Sequence, residues 1–279
     1  MTPTIRTNNG VEIPHVGFGV YQIPASRTTE MVRVALDAGY RHVDTAQVYG
    51  NEAEVGTAIV ESGLPREDVF ITTKLNPQHH GYVSTSKELE ESLRKLRTSY
   101  VDLYLLHWPS PGTDRYFDSW RACEDLLAEG KVRSIGVSNL TVADLAWLAE
   151  RSETVPAVNQ VELHPSFQQG ELRRYHHSHG IITEAWGPIA LGESLKDSTL
   201  QALAKKYGRT TAQLILRWHV QLGNIPLCKS VTPSRIRENL AIFDFQIDAD
   251  DIQMIATLDG VPNGAPSRTN EVSLPRWQA

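Results

Sequence analysis

Sulfur is scarce in this chain, with two cysteines, Cys123 and Cys228, and three methionines among 279 residues. Two thiols build no disulfide framework and fall short of a cysteine-based zinc site. A chain of this length buries a large core without such staples. Long hydrophobic runs are also missing, and none approaches the ~20 residues that cross a bilayer. The opening stretch, Met1 to Pro14, is polar and lacks the apolar centre of a secretory signal. A cytoplasmic protein in a reducing compartment is therefore expected. Basic charge is in deficit, with 27 Lys and Arg against 33 Asp and Glu and a net charge of −6. That balance argues against nucleic acid or a membrane as partner, while leaving room for a local basic pocket. No linker or shift in composition divides the sequence. It reads as one domain over residues 1–279, expected to be monomeric with a small-molecule partner.

What is present is an alternation of short apolar runs and amphipathic helices. Thr4–Thr7 and Val11–Ile13 flank Asn8-Asn9-Gly10, and Asn-Gly signals a type I′ hairpin turn. Eight further strands are expected at Val16–Gly19, His42–Asp44, Phe70–Lys74, Leu103–His107, Ile135–Ser138, Ala157–Gln160, Ile181–Ala185 and Ile225–Lys229. Several are apolar or β-branched nearly throughout, as strands buried on both faces are. Helices lie between them. Val32, Ala35, Leu36 and Gly39 follow helical spacing, and Gly39 can close that helix in the left-handed conformation. Leu89, Leu93 and Leu96 form another stripe, and Trp120, Cys123, Leu127 and Gly130 a further one. Asn51, Thr141 and Asp248 are candidate N-caps, and Pro233 suits a first helical position. A short helix spans about Gly170–Ser178, and two in succession, Ser198–Tyr207 and Thr210–Leu222, precede the eighth strand. The strands recur about every 30 residues, one βα unit each. The expected fold is an α/β (β/α)8 TIM barrel with the N-terminal hairpin beneath its floor. A doubly wound sheet normally carries a Gly-rich phosphate loop after its first strand, and Gly17-Phe18-Gly19 is not followed by the third glycine.

Barrels place their chemistry at the C-terminal ends of strands. Strand two ends in Asp44 with Tyr49 five residues on, strand three in Lys74 and strand four in His107. Together these four make an acid–base device. A free tyrosine titrates near ~10, and an ammonium beside the phenol is expected to lower that value. A carboxylate holds the ammonium in place, and a histidine donates to a substrate oxygen. Such a site protonates a carbonyl oxygen while a hydride arrives at carbon. Singly, each residue has a plainer reading, as an ion pair, a packed ring or a core histidine; all four at strand mouths make that coincidence costly.

The chain resembles the aldo-keto reductases in Gly39-Tyr40-Arg41-His42-Val43-Asp44-Thr45-Ala46 running into Tyr49-Gly50-Asn51-Glu52, and in Thr73-Lys74-Leu75. The likeness continues through Val101–Pro109, Arg133–Asn139, Val158–Pro165 and Lys229-Ser230-Val231. The bacterial branch that reduces 2,5-diketo-gluconate and small α-dicarbonyls is the most similar. The resemblance implies a barrel with a tetrad at Asp44, Tyr49, Lys74 and His107, with Tyr49 as general acid and NADPH as hydride donor.

The cofactor's place has separate support. Many barrels hold phosphate after strands seven and eight, at a helix N-terminus. Here Lys229-Ser230-Val231-Thr232 enters the helix opened by Pro233, with Arg235 on its first turn. A cation there opposes the helix dipole unless a phosphate neutralises it. The resemblance assigns Lys229, Ser230 and Arg235 to the adenosine 2′-phosphate and Glu238 and Asn239 to the adenine end, with Val231 also among the cofactor-binding residues. It assigns Ser138, Asn139 and Gln160 to the nicotinamide carboxamide. Trp186 would stack on the ring, with Gly187 and Pro188 following. Tyr21, Gln47, Asn76, Trp108 and Trp277 are expected to line the substrate mouth. Asn76 stands where many relatives carry an aromatic, which would favour more polar or bulkier substrates.

Other candidates rank lower. Glu162 and Glu184 resemble a glycosidase carboxylate pair, but that reading leaves Lys74 unexplained, and an internal ion pair or hydrogen bond suits them better. His79-His80 and His176-His177-His179 lack a carboxylate at ligand spacing and read as solvated polar positions, with no metal expected. Cys228 reads as a small buried residue. A barrel that senses nicotinamide redox state without turnover is the non-enzymatic alternative.

Overall fold

The computed structural model describes residues 2–109 and 115–261. Strands β1 (Thr4–Arg6) and β2 (Glu12–Pro14) form an antiparallel hairpin with Ile5 opposite Ile13. Its turn is not type I′. Gly10 N–H donates to the Thr7 carbonyl, and Gly10 has positive φ while Asn8 and Asn9 do not. A type I′ turn needs positive φ at both central residues, whereas a three-residue loop puts a single glycine in the left-handed region. The asparagine side chains are used elsewhere. Asn8 donates to the Val155 and Pro156 carbonyls and Asn9 to that of Arg133, which fastens the hairpin across the barrel floor.

The barrel consists of β3 (Gly17–Gly19), β4 (His42–Asp44), β5 (Phe70–Leu75), β6 (Val101–Leu106), β7 (Val132–Ser138), β8 (Val158–Glu162), β9 (Ile182–Trp186) and β10 (Ile225–Cys228). All neighbours are parallel, and β10 returns to β3 to close the ring. The expected strands are all present, His42–Asp44 with its expected bounds and the others with at least one end shifted by one to three residues. The intervening helices are α1 (Ala25–Ala38), α2 (Glu52–Glu61), α3 (Tyr82–Leu96), α4 (Arg115–Ala128), α5 (Val142–Ala149) and α6 (Gly170–Ser178). The pair α7 (Ser198–Lys206) and α8 (Thr211–Gln221) follows, then α9 (Pro233–Leu240) and α10 (Ala249–Ala256). Among the described residues no helix is long and apolar enough to cross a membrane.

Local chemistry explains several boundaries. Gly39 closes α1 in the left-handed region, where its N–H meets the Ala35 and Leu36 carbonyls. Thr141 and Asp144 form a reciprocal capping box at α5, a device worth about 1 kcal/mol. Two expected caps fail. Asn51 precedes α2, but its amide turns inward to the Val20 and Ile23 carbonyls. The Asp248 side chain makes no cap bond and instead meets Lys206. In both cases a tertiary partner wins over the local donor. Leu89, Leu93 and Leu96 bury the inner face of α3, each contributing about 1.5–3 kcal/mol.

The barrel interior changes character along its axis. At the floor, Ile13 of the hairpin is buried among Phe70, Leu103, Val158 and Ile225. Above them His42, Asp44, Thr72, Lys74, Gln160 and Glu184 are all buried. Side chains two apart on a strand share a face, so the pairs His42/Asp44 and Thr72/Lys74 project inward together.

Candidate active site

The polar interior rises into the strand mouths. Lys74 is fully buried, and its Nζ donates to Asp44 Oδ1 and Oδ2 at 2.7 Å each and to the Thr45 carbonyl at 2.9 Å. The Tyr49 hydroxyl lies 3.5 Å from the same Nζ. The His107 ring meets the Tyr49 ring edge-on, with centroids 5.6 Å apart, and Tyr21 packs on its other side at 5.1 Å. The four residues expected at strand mouths thus meet at one point.

The sequence expectation fails in one respect, the direction in which the site moves the Tyr49 phenol. Burial raises the Tyr49 phenol, Lys74 pulls it down, and the net result is about 12. Lys74 therefore does not depress Tyr49 below its ordinary value, because the desolvation of a buried phenolate outweighs one ammonium already shared with Asp44. Tyr49 stays protonated at neutral pH, as an acid must. Burial opposes the charge on Lys74, but Asp44 more than compensates and the ammonium is held above its usual range. Burial, aided by Lys74, keeps His107 well below the usual histidine range and therefore neutral.

The loop bearing Tyr49 is anchored by residues beside it. Residues Gln47–Tyr49 form a 3-10 turn. The Gln47 amide donates to Ser92 and to the Glu88 carbonyl, while its oxygen accepts from Asn76 N–H. Gln47 does not line the cavity; it ties the turn to α3. Asn76 is likewise drawn off, its side chain accepting from Gln78 N–H, and the wall is Pro77 instead. Asn51 accepts from the Thr45 hydroxyl, and Glu52 accepts from Thr73. These anchors stood in the Tyr49-Gly50-Asn51-Glu52 motif, but their roles need tertiary contacts to be seen.

A cavity of about 630 Å³ opens above Tyr49 and His107 and runs to Lys229 and Asn239. Ser138, Asn139, Gln160, Trp186, Gly187 and Pro188 line its middle. Asn139, at φ +64°, accepts from the Trp186 indole and donates to the His107 carbonyl and the Ser138 hydroxyl, so it orients three neighbours at once. Tyr21 and Trp108 line the mouth as expected, and Trp277 lies outside the described residues. Val48, Ile189 and Leu191 also line it. Sequence reading missed them because a lone aliphatic in a loop carries no signal of its own.

At the far end, Ser230, Val231, Arg235 and Glu238 do not reach the cavity lining. The Ser230 hydroxyl accepts from Thr232 N–H, and Glu238 accepts from Thr210. Arg235 precedes Asn239 by four residues on α9, so it sits one turn along the same face. Lys229 and Arg235 have no ionic partner among the described residues, and the first turn of α9 carries no acid. Two unpaired cations at a helix N-terminus fit a phosphate group.

Glu162 and Glu184 are internal, as expected: Glu162 lies 3.5 Å from His164, and Glu184 accepts from Gln160. His80 and His176 are not solvated. Both are buried, and His176 bonds Asn159 and Thr183, because α6 turns it toward the barrel. Among the described residues no group of three metal-binding side chains forms a site. Cys228 is buried.

Comparison with known proteins agrees with this geometry. The pattern described as "Aldo/keto reductase family" matches residues 15–259. The glyoxal reductase of Bacillus subtilis is 45% identical over 257 residues, covering 92% of each chain. A crystal structure of an aldo/keto reductase from Brucella melitensis is 51% identical with a TM-score of 0.90, covering 93% of this chain and 100% of that one. A Bombyx mori aldo-keto reductase solved in complex with NADP is 33% identical with a TM-score of 0.92, covering 99% of this chain and 98% of that one. With its closed barrel, its four converging residues and these matches, the chain belongs to the aldo/keto reductase family.

Proposed function

We propose that the protein is a carbonyl reductase that uses NADPH and takes its proton from Tyr49. The observation that carries this reading is one cavity joining the Asp44–Tyr49–Lys74–His107 cluster to the unpaired Lys229. NADPH, when bound, supplies the hydride to the carbonyl carbon. Lys229 and Arg235 would hold its 2′-phosphate, with Ser230 and Val231 forming the turn between them and Glu238 and Asn239 at the adenine end. Ser138, Asn139 and Gln160 would face the carboxamide, and Trp186 the ring, beside Gly187 and Pro188.

Neutral His107 donates a hydrogen bond to the carbonyl oxygen and orients it. Protonated Tyr49 gives that oxygen its proton as negative charge develops there. The phenolate left behind faces the Lys74 ammonium, which Asp44 holds in place. The described mouth is aromatic and aliphatic, built from Tyr21, Val48, Pro77 and Trp108. That lining suits short uncharged aldehydes and α-dicarbonyls, in keeping with the glyoxal reductase relative. The test is loss of NADPH absorbance with a panel of carbonyls, comparing kcat/KM for methylglyoxal with that for 2,5-diketo-gluconate. Higher kcat/KM for the keto-sugar acid would overturn the substrate class. Tight NADPH binding without turnover on any carbonyl would make the protein a nicotinamide sensor instead.

A further inference from the structure

Of the buried acids outside the proton transfer above, Glu184 lies against Asp44 and Gln160. Glu184 of β9 is fully buried and stands opposite Gln160 of β8 in the sheet register. The Gln160 amide nitrogen donates to Glu184 Oε2 at 2.7 Å and to Asp44 Oδ2 at 2.9 Å. Asp44, paired with Lys74 as an anion, can only accept, so the nitrogen end of the amide faces it, and Glu184 accepts the second N–H. The amide oxygen is left to accept from a ligand in the cavity that Gln160 lines.

We propose that Glu184 is a positioning residue for the reduction: with Asp44 it locks the Gln160 amide, oxygen toward the nicotinamide carboxamide, and ties that lock to the Asp44–Lys74 pair beneath Tyr49. The inference rests on the reductase reading. It also requires Glu184 to be uncharged. The groups facing it are His42 and Asp44 of β4, Lys74 of β5, Gln160 of β8 and the hydrocarbon of Ile225 on β10. Lys74 is already held by both Asp44 oxygens. His42 Nε2 stands 3.7 Å from Glu184 Oε1, beyond hydrogen-bond reach, and among the described residues Oε1 has no hydrogen-bond partner. An ionised Glu184 would leave two buried carboxylates sharing one ammonium. Burial, then Asp44, pushes the Glu184 carboxyl up to about 8. Burial holds His42 down at about 3, and His107 is also held low, while Tyr49 and Lys74 are pushed high. Glu184 is therefore placed to change charge just above neutral pH, with those four outside that range.

The test compares the full-length wild type with Glu184→Gln and Glu184→Leu. Glutamine keeps the shape and an acceptor for Gln160 without titrating, and leucine removes the acceptor. Glu184→Gln is expected to bind NADPH within about twofold of wild type, and Glu184→Leu about five- to tenfold more weakly, the value of one hydrogen bond. Wild-type kcat is expected to fall about threefold or more as pH rises from about 7 to 9, because a second negative charge opposes phenolate formation, whereas Glu184→Gln stays level. Thermal melting of the cofactor-free proteins gives a separate reading. A carboxyl raised in the folded state loses its stabilising proton as pH rises from the unfolded value through the folded one. The wild-type Tm should therefore fall relative to Glu184→Gln between about pH 5 and 8, then run parallel to it. If the leucine variant does not fold, the glutamine comparison decides alone. Matching pH profiles and melting curves for wild type and Glu184→Gln, or wild-type NADPH affinity in Glu184→Leu, would overturn the inference. Failure to oxidise NADPH with any carbonyl would instead strike the reductase reading, since the melting comparison needs no cofactor.

Discussion

Lys74→Met removes the ammonium from the barrel mouth while keeping a side chain of similar length. It deletes two hydrogen bonds to Asp44 and one to the Thr45 carbonyl. Asp44, 3% exposed, would be left with Gln160 as its remaining side-chain donor. Stranding one charge of a buried pair costs about 3–5 kcal/mol, a large part of the 5–15 kcal/mol that typically holds a domain together. Removing both charges, as Lys74→Met with Asp44→Asn, strands nothing, and most of that loss should return. For catalysis the two variants should agree. Lys74 is the main influence drawing the Tyr49 phenol down against burial, so without it the phenolate has no counter-ion. We expect kcat to fall about a hundredfold or more in both, in the range of a lost general acid. Urea unfolding of wild type, single and double variants gives the stabilities, and NADPH oxidation gives kcat. A single variant within about 1 kcal/mol of wild type, or a double variant no more stable than the single, would refute the stranded-charge argument. Wild-type turnover in Lys74→Met would remove it from the chemistry.

Tyr49→Phe keeps the ring packed between Tyr21 and His107 but has no proton to give; kcat should drop about 10²–10⁴-fold while NADPH Kd is unchanged, and wild-type turnover would sink the assignment. Arg235→Ala should weaken NADPH binding about ten- to hundredfold and NADH binding far less, as read by fluorescence titration; an unchanged ratio of the two affinities would show that Arg235 does not meet the 2′-phosphate. Acid should destabilise the fold through its buried neutral histidines. Burial holds His42 and His219 at about 3 and His176 at about 4. Their stabilising effect is complete above the unfolded value of ~6.5 and is lost as pH falls toward those folded values, at roughly 1.4 kcal/mol per pH unit for each. A Tm that stays flat from about pH 7 to 4 would contradict that burial.

The barrel could be read from sequence because each strand is an apolar run of the right length and each helix carries its own stripe. Asp44, Lys74 and His107 were legible for a related reason: a polar residue ending an apolar run has to be at a mouth. Gln47 was misplaced because a 3-10 turn of three residues offers no periodicity to say which way it faces, and α3 supplied its partners from 41 and 45 residues away. Asn51 and Asp248 had the right chemistry for caps, but better partners waited elsewhere in the fold. The lowering expected for the Tyr49 phenol was wrong in direction because a neighbouring lysine is visible in sequence and depth of burial is not. Leu191 was invisible for a backbone reason. It and Ala190 adopt positive φ without being glycine, so nothing local marks the bend that brings Leu191 to the cavity.

The pairing of β3 with β10 sets an order for biosynthesis. The first barrel strand, near residue 18, has one of its two neighbours at residues 227 and 228. The hairpin below it waits as well, since Asn9 needs Arg133 and Asn8 needs Val155 and Pro156. A chain emerging from the ribosome must therefore carry its opening strand unpaired on one side until about four-fifths of the polypeptide has been made. Translation halted before Ile225 does not yield a smaller ring. It yields an open sheet with β3 and β9 as bare edges, each able to recruit a strand from another nascent chain.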